Sequence, residues 1–202
     1  MDMMSIRRKI LMTQDNDLPP KYKRLAYIVN PGYARILTNY SPVQYDEFNV
    51  EFSVDTTRSS QCLFSAGTDT YQLVFLLTAG SNYSYLRYFA SSSPAYNFNL
   101  PTEEWLTLSL SGGGVLSVND KTNTYSYGSA IDGTNALHIC RRANGSNMFI
   151  GKLKSFRVTN DGTLKLNLIP CTRVSNGIVG MYDTVSKTFY SSASDVAFTA
   201  PS

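Results

Sequence analysis

The sequence predicts an all-β domain, and three observations carry that expectation. Apolar and polar residues alternate with a period of two along many short segments. Turn residues separate those segments at roughly ten-residue spacing. No amphipathic helix of useful length follows residue 20. Short strands in this number read as an antiparallel sandwich or a closed barrel.

The chain opens with a basic segment. Residues 5–14 have the composition of a short helix, and Asp15-Asn-Asp-Leu-Pro-Pro20 ends it, because consecutive prolines cannot continue a helix. Residues 1–20 are therefore read as a tail and linker, and 21–202 as one domain, a size usual for a β-sandwich. Inside the domain, Phe48, Val50, Phe52 and Val54 alternate with polar residues, as a half-buried strand requires. Leu106, Leu108 and Leu110 do the same after Trp105, which is placed in the core with them. Residues 71–78 and 83–89 flank a four-residue turn and form a hairpin. Residues 115–118 turn at Asn119-Asp120 into 122–127. Residues 153–159 turn at Asn160-Asp-Gly162 into 164–169, the strongest short hairpin signal in the chain. Pro170 is expected to end that strand, since it has no N–H for a ladder. Tyr182, Phe189 and Phe198 are expected to pack on the core.

Composition narrows the function classes. Apolar residues make up 43% and charged residues 16%, enough for a core and too little charge for a disordered chain. Net charge is +3, and Arg7, Arg8, Lys9, Lys21, Lys23 and Arg24 crowd the first 24 positions. That basic head is read as a solvated segment rather than a nucleic-acid site. The longest apolar run in the first 14 residues, 10–12, is too short for a secretory signal, and 73–77 is too short to span a bilayer. Synthesis in a cytoplasm without a signal peptide, and no membrane insertion, are the expectations. Cys62, Cys140 and Cys171 form no CxxC pair, and His138 is the only histidine, so no zinc site is expected. His138 and Cys140 are read as residues of one strand face.

No catalytic constellation emerges. Retaining glycosidases need two carboxylates about 5 Å apart. The best candidates, Glu47, Glu51 and Asp55, lie four residues apart, about 13 Å on an extended strand. Glu103 and Glu104 point to opposite faces. No nucleophile elbow surrounds any serine, and Ser111-Gly-Gly-Gly114 lacks the helix of a phosphate loop. Asp69, Asp120, Asp132 and Asp161 sit in turns without a clustered D-x-D, so no cofactor is expected and a Ca²⁺ site has no motif to support it. For glycan binding, the expected residues are Tyr83, Tyr85 and Arg87, which share one strand face, with Tyr125 and Tyr127 nearby.

The C-terminal motifs carry a resemblance. Gly151, Leu153 and Phe156 lead through Asp161-Gly162 to Leu168-Ile-Pro-Cys171. Gly177-Ile-Val-Gly-Met-Tyr-Asp183, Thr188-Phe-Tyr190 and Phe198-Thr-Ala200 follow. Near the start stand Ile6-Arg-Arg8, Leu18 through Ile28, Gly32 to Thr38 with Arg35-Ile36 in place of Gln-Tyr, and Cys62-Leu-Phe64. Together they resemble the concanavalin A-like, laminin-G-like domains of phage and prophage structural proteins from gut bacteria. The resemblance implies a two-sheet antiparallel jelly-roll sandwich and a virion setting, and no established activity. A non-enzymatic virion protein is expected, with Ile6, Arg7, Arg8, Lys9, Ile10 and Leu11 docking it to other virion proteins and the sandwich facing a cell-surface glycan. A free carbohydrate-binding module and a degenerate glycoside hydrolase are the alternatives. A short basic helix beside a sandwich is also compatible with a trimer on a symmetric particle.

Overall fold

The computed structural model describes residues 18–55, 60–67, 72–77, 83–90, 95–98, 100–125 and 134–202. The expected helix at 5–14 lies outside them. Among the described residues there are sixteen strands. They are β1 Tyr22–Arg24, β2 Ile28–Asn30, β3 Ile36–Leu37, β4 Glu47–Val54, β5 Gln61–Ala66, β6 Gln72–Leu77, β7 Tyr83–Ala90 and β8 Ala95–Asn97. Then come β9 Trp105–Leu110, β10 Val115–Val118, β11 Lys121–Thr124, β12 His138–Ile139, β13 Gly151–Asn160, β14 Thr163–Arg173, β15 Val179–Asp183 and β16 Phe189–Ser191. The larger sheet runs β11-β10-β9-β4-β13-β14-β15-β16, with β1 on β14 and β2 on β13. The smaller runs β3-β12-β5-β6-β7-β8. All pairings are antiparallel, so the all-β sandwich expectation holds.

Period-two patterning explains the layering. The inward residues of β4, Phe48, Val50 and Phe52, are at most 1% exposed, as are Phe64 on β5 and Phe75 on β6. Phe64 stacks on Phe48 with ring centroids 5.0 Å apart, and on Phe75 at 5.8 Å. Phe156 of β13 meets Phe64 edge-on at 5.6 Å and Phe48 at 6.2 Å. Four rings from two sheets thus share one contact, a geometry that aromatic quadrupoles favour beyond area burial alone.

The closing run makes four of the strands. Asp161 and Gly162, at φ 48° and 70°, form the two-residue turn of the β13–β14 hairpin. Gly180 is required by close approach, because a Cβ there would lie 2.2 Å from the Tyr190 carbonyl oxygen. Asp183, 1% exposed, accepts from the amides of Asn167, Val185 and Ser186, each at 3.0 Å, and so clamps the 184–187 turn. At the end of the chain, Val29 and Thr199 exchange backbone hydrogen bonds of 2.9 and 3.0 Å.

Three expectations are corrected. Pro170 does not end a strand, because β14 runs on to Arg173. It does end the ladder with β13. Its carbonyl accepts from Leu25 at 2.9 Å, so its N-substituted side faces the same gap, where no donor is available. The β13–β14 ladder stops at Phe156↔Leu168, the two strands splay, and β1 and β2 fill the fork. Second, Tyr182 is buried but belongs to the outer face. There Tyr22 packs 5.0 Å from it and 5.1 Å from the half-buried Phe189, while Phe198 joins the core as expected. Third, Cys140 does not continue the face of His138. Its φ of 69° turns the chain out of β12, and Cys140 is buried in the core while His138 is half-buried beside Ser65 and Leu37.

The shared aromatic contact predicts a large, local cost. Phe64→Ala should destabilise the sandwich by about 3–5 kcal/mol, the range for a buried Phe truncation. Denaturant unfolding checks this, and a change below ~1 kcal/mol would show that the four rings do not tie the sheets together.

Candidate functional site

Polar chemistry collects on the outer face of the larger sheet. With Phe48, Val50 and Phe52 inward, β4 turns Glu47, Asn49 and Glu51 outward. With Leu106, Leu108 and Leu110 inward, β9 turns Trp105, Thr107 and Ser109 outward. On β13 a register shift between Leu153 and Ser155 leaves Lys154 and Ser155 as consecutive residues between inward Leu153 and Phe156. Such a bulge re-aims a side chain. Here it carries the Lys154 ammonium to 5.5 Å from the Trp105 ring centroid.

Trp105 is 39% exposed, which overturns its expected place in the core. The reason is parity. It stands one residue before Leu106, so it takes the face opposite the leucines. Tyr27, in the segment that fills the fork, meets its edge at 5.4 Å and 61°. Lys154 pairs with Glu51, and Lys152 with Asp55 at 3.3 Å. The result is an aromatic corner with a neutralised charged rim.

Two depressions lie on this face. One, about 410 Å³, sits at the fork and is lined by Arg24, Ala26, Glu51, Lys154, Ser155 and Asn167, with Leu168 to Pro170 as its floor. The other, about 360 Å³, crosses β9, β4 and β13 and is lined by Asn49, Ser109, Ser111, Arg157 and Thr159, with Glu47 at its edge. Both are open; the fork depression lies where β13 and β14 part, and the other lies over paired strands beside the Ser111 turn.

The carboxylates of this face do not form a hydrolytic pair. Glu47 accepts from the Gly112 amide at 3.3 Å and the Thr159 hydroxyl at 3.1 Å, while Glu51 and Asp55 hold lysines. Residues four apart on β4 are separated by about 13 Å, beyond the 5–9.5 Å or so that glycosidases use. Among the described residues, no group of three His, Cys, Asp or Glu is placed to hold a metal ion. All three cysteines are free and buried. Burial pushes the Cys140 thiol up to about 12 and raises those of Cys62 and Cys171.

Of the described residues expected to bind glycan, three share one strand and Tyr125 lies elsewhere. Tyr83, Tyr85 and Arg87 lie on β7 of the smaller sheet, with Tyr85 in register with Leu76 and Ala95, and Arg87 with Val74. Tyr125 follows β11 of the larger sheet and is 8% exposed within the core cluster. Its hydroxyl donates to the Ser111 carbonyl at 2.7 Å. A ring so withdrawn offers no face to a ligand. Tyr127, and the proposed docking residues Ile6 to Leu11, lie outside the described residues. Asp120 and Asp161 are turn residues, and Asp69 and Asp132 are outside the described residues. The Trp105 corner was missed, although its parity against Leu106 was available in the sequence.

No protein-family model matches the chain, and no curated protein does. Solved structures do. A heptameric SAP-like pentraxin from Limulus polyphemus superimposes with a TM-score of 0.58 at 15% identity, over 88% of this chain and 95% of the pentraxin chain. A Bacteroides ovatus protein of proposed carbohydrate-binding function gives 0.53 at 11%, again over 88% of this chain but over 60% of its own. These likenesses show the fold, a two-sheet antiparallel jelly-roll sandwich.

The single tryptophan makes its placement measurable. Acrylamide should quench Trp105 fluorescence readily. Trp105→Ala should cost less than ~1 kcal/mol, against about 2–5 kcal/mol for Leu106→Ala next to it. A blue-shifted, quencher-resistant emission would return Trp105 to the core.

Proposed function

We propose that this chain is a non-catalytic carbohydrate-binding sandwich that takes a sugar ring at the Trp105 corner. The carrying observation is Trp105 itself. It is an indole left partly open on a sheet face, with Tyr27 at its edge, the Lys154 ammonium over its ring and the Glu51 carboxylate held by that lysine. A sugar presents C–H groups on one face and hydroxyls around its rim. An aromatic platform ringed by planar polar groups matches both, and the protein keeps such a ring exposed against its hydrophobic tendency. The fold shared with a pentraxin and with a protein of proposed carbohydrate-binding function supports the same reading.

The setting we propose is a phage particle, supported by the motifs from Gly151 to Ala200 and by Ile6-Arg-Arg8. The tail of residues 1–20 would dock the sandwich to other virion proteins, leaving the sheet face free for a cell-surface glycan. Self-association fits this arrangement, and the pentraxin neighbour is itself a heptamer.

Two measurements test the two halves of the proposal. On a glycan array followed by calorimetry, the chain should bind at least one glycan at millimolar concentration or tighter, and Trp105→Ala should weaken that binding at least tenfold. Absence of any glycan ligand, or unaltered binding by Trp105→Ala, rejects the binding reading. Deleting residues 1–20 should abolish incorporation into particles while the sandwich still unfolds cooperatively. Assembly of the truncated chain would reject the docking role.

A further inference from the structure

One row of side chains links the two depressions. Asn49 of β4 pairs with Ser109 of β9 on one side and with Arg157 of β13 on the other, and Arg157 pairs with Asn167 of β14. All four residues occupy outward positions, so one transverse row of a hydroxyl, a carboxamide, a guanidinium and a second carboxamide crosses four strands. Ser109, Asn49 and Arg157 line the first depression, and Asn167 lines the fork depression. The Arg157–Asn167 register therefore brings the two depressions side by side.

Most of the row's polar groups are left unused. On this face Glu51 and Asp55 are held by Lys154 and Lys152, and Glu47 accepts from Gly112 and Thr159. Asn167 donates to the Thr184 hydroxyl at 2.7 Å. Among the described residues, the side chains of Ser109, Asn49 and Arg157 have no hydrogen-bond or ion-pair partner. Three adjacent side chains thus present donors and acceptors to the groove, and a guanidinium offers paired donors in one plane, suited to two neighbouring hydroxyls.

Spacing then selects a ligand. Adjacent strands lie about 4.8 Å apart, close to the length of one pyranose residue in an extended chain. Three such intervals span about 14 Å. The floor is a sheet face, flat and open along its length, which suits a ribbon-like chain with equatorial linkages and not a coiled one.

We propose that the row and the two depressions form a single groove for an extended β-1,4-linked glycan of about four residues, running across the strands with Arg157 at its middle. This rests on the carbohydrate-binding reading above and gives it a polymer class and a direction.

Calorimetry on the full chain with cello-, xylo- and chito-oligosaccharides of two to six residues provides the test. At least one series should bind, with affinity rising tenfold or more between two and four residues and levelling off by six. Arg157→Ala, an exposed position, should weaken hexasaccharide binding at least tenfold and disaccharide binding less than twofold, with unchanged thermal unfolding. Trp105→Ala, about 13 Å from the row along β9, should change the affinity of every length by the same factor. The groove is refuted by affinity independent of length, by hexasaccharide binding indifferent to Arg157→Ala, or by silence of all three series while another glycan binds on an array. In each of those outcomes the carbohydrate-binding reading survives. Silence of the whole array removes both.

Discussion

Everything outside the sandwich depends on the contact inside it between Phe64 and Phe48, 5.0 Å apart across the two sheets. Phe156 and Phe75 complete the cluster from either side. Once these rings fix which positions of β4, β5, β6 and β13 are inward, period two leaves no freedom for the rest. Glu47, Asn49, Arg157 and Trp105 are outward because their neighbours are inward. The polar face is in this sense a by-product of the core, and its side-chain order is set by the ladder register.

What distinguishes the face from an ordinary wet sheet is irregularity at one strand. β13 bulges at Lys154, parts from β14 beyond Phe156, and receives the 22–30 segment in the opening. Each event has a local cause. Pro170 removes the donor that would extend the ladder, and the extra outward residue frees Lys154 to reach Trp105. The fork depression is the space these events leave. Ion pairs then settle most of the charge on the face without filling it.

Most of the fold was legible in the sequence. The alternation at 48–54 and 106–110 and the Asp161-Gly162 turn map directly onto β4, β9 and the β13–β14 hairpin, because both signals are local. The candidate site was less legible, for two reasons. Trp105 was grouped with the leucines that follow it, although an odd position beside even core residues belongs to the other face. Tyr125 looked like surface from its Tyr-rich neighbourhood, yet Ser111, fourteen residues away, supplies the carbonyl that lets its hydroxyl be buried. The fork, likewise, needs β1 and β2 placed against strands more than a hundred residues later, and no local pattern encodes such a pairing.

The three cysteines have a consequence of a different order. Cys62, Cys140 and Cys171 are buried, unpaired and raised in pKa, so thiolate is scarce and oxidants have no path to it. The sandwich owes none of its cohesion to a cross-link. Its stability is therefore indifferent to redox poise, and one folded form can pass from a reducing medium to an oxidising one without reshuffling.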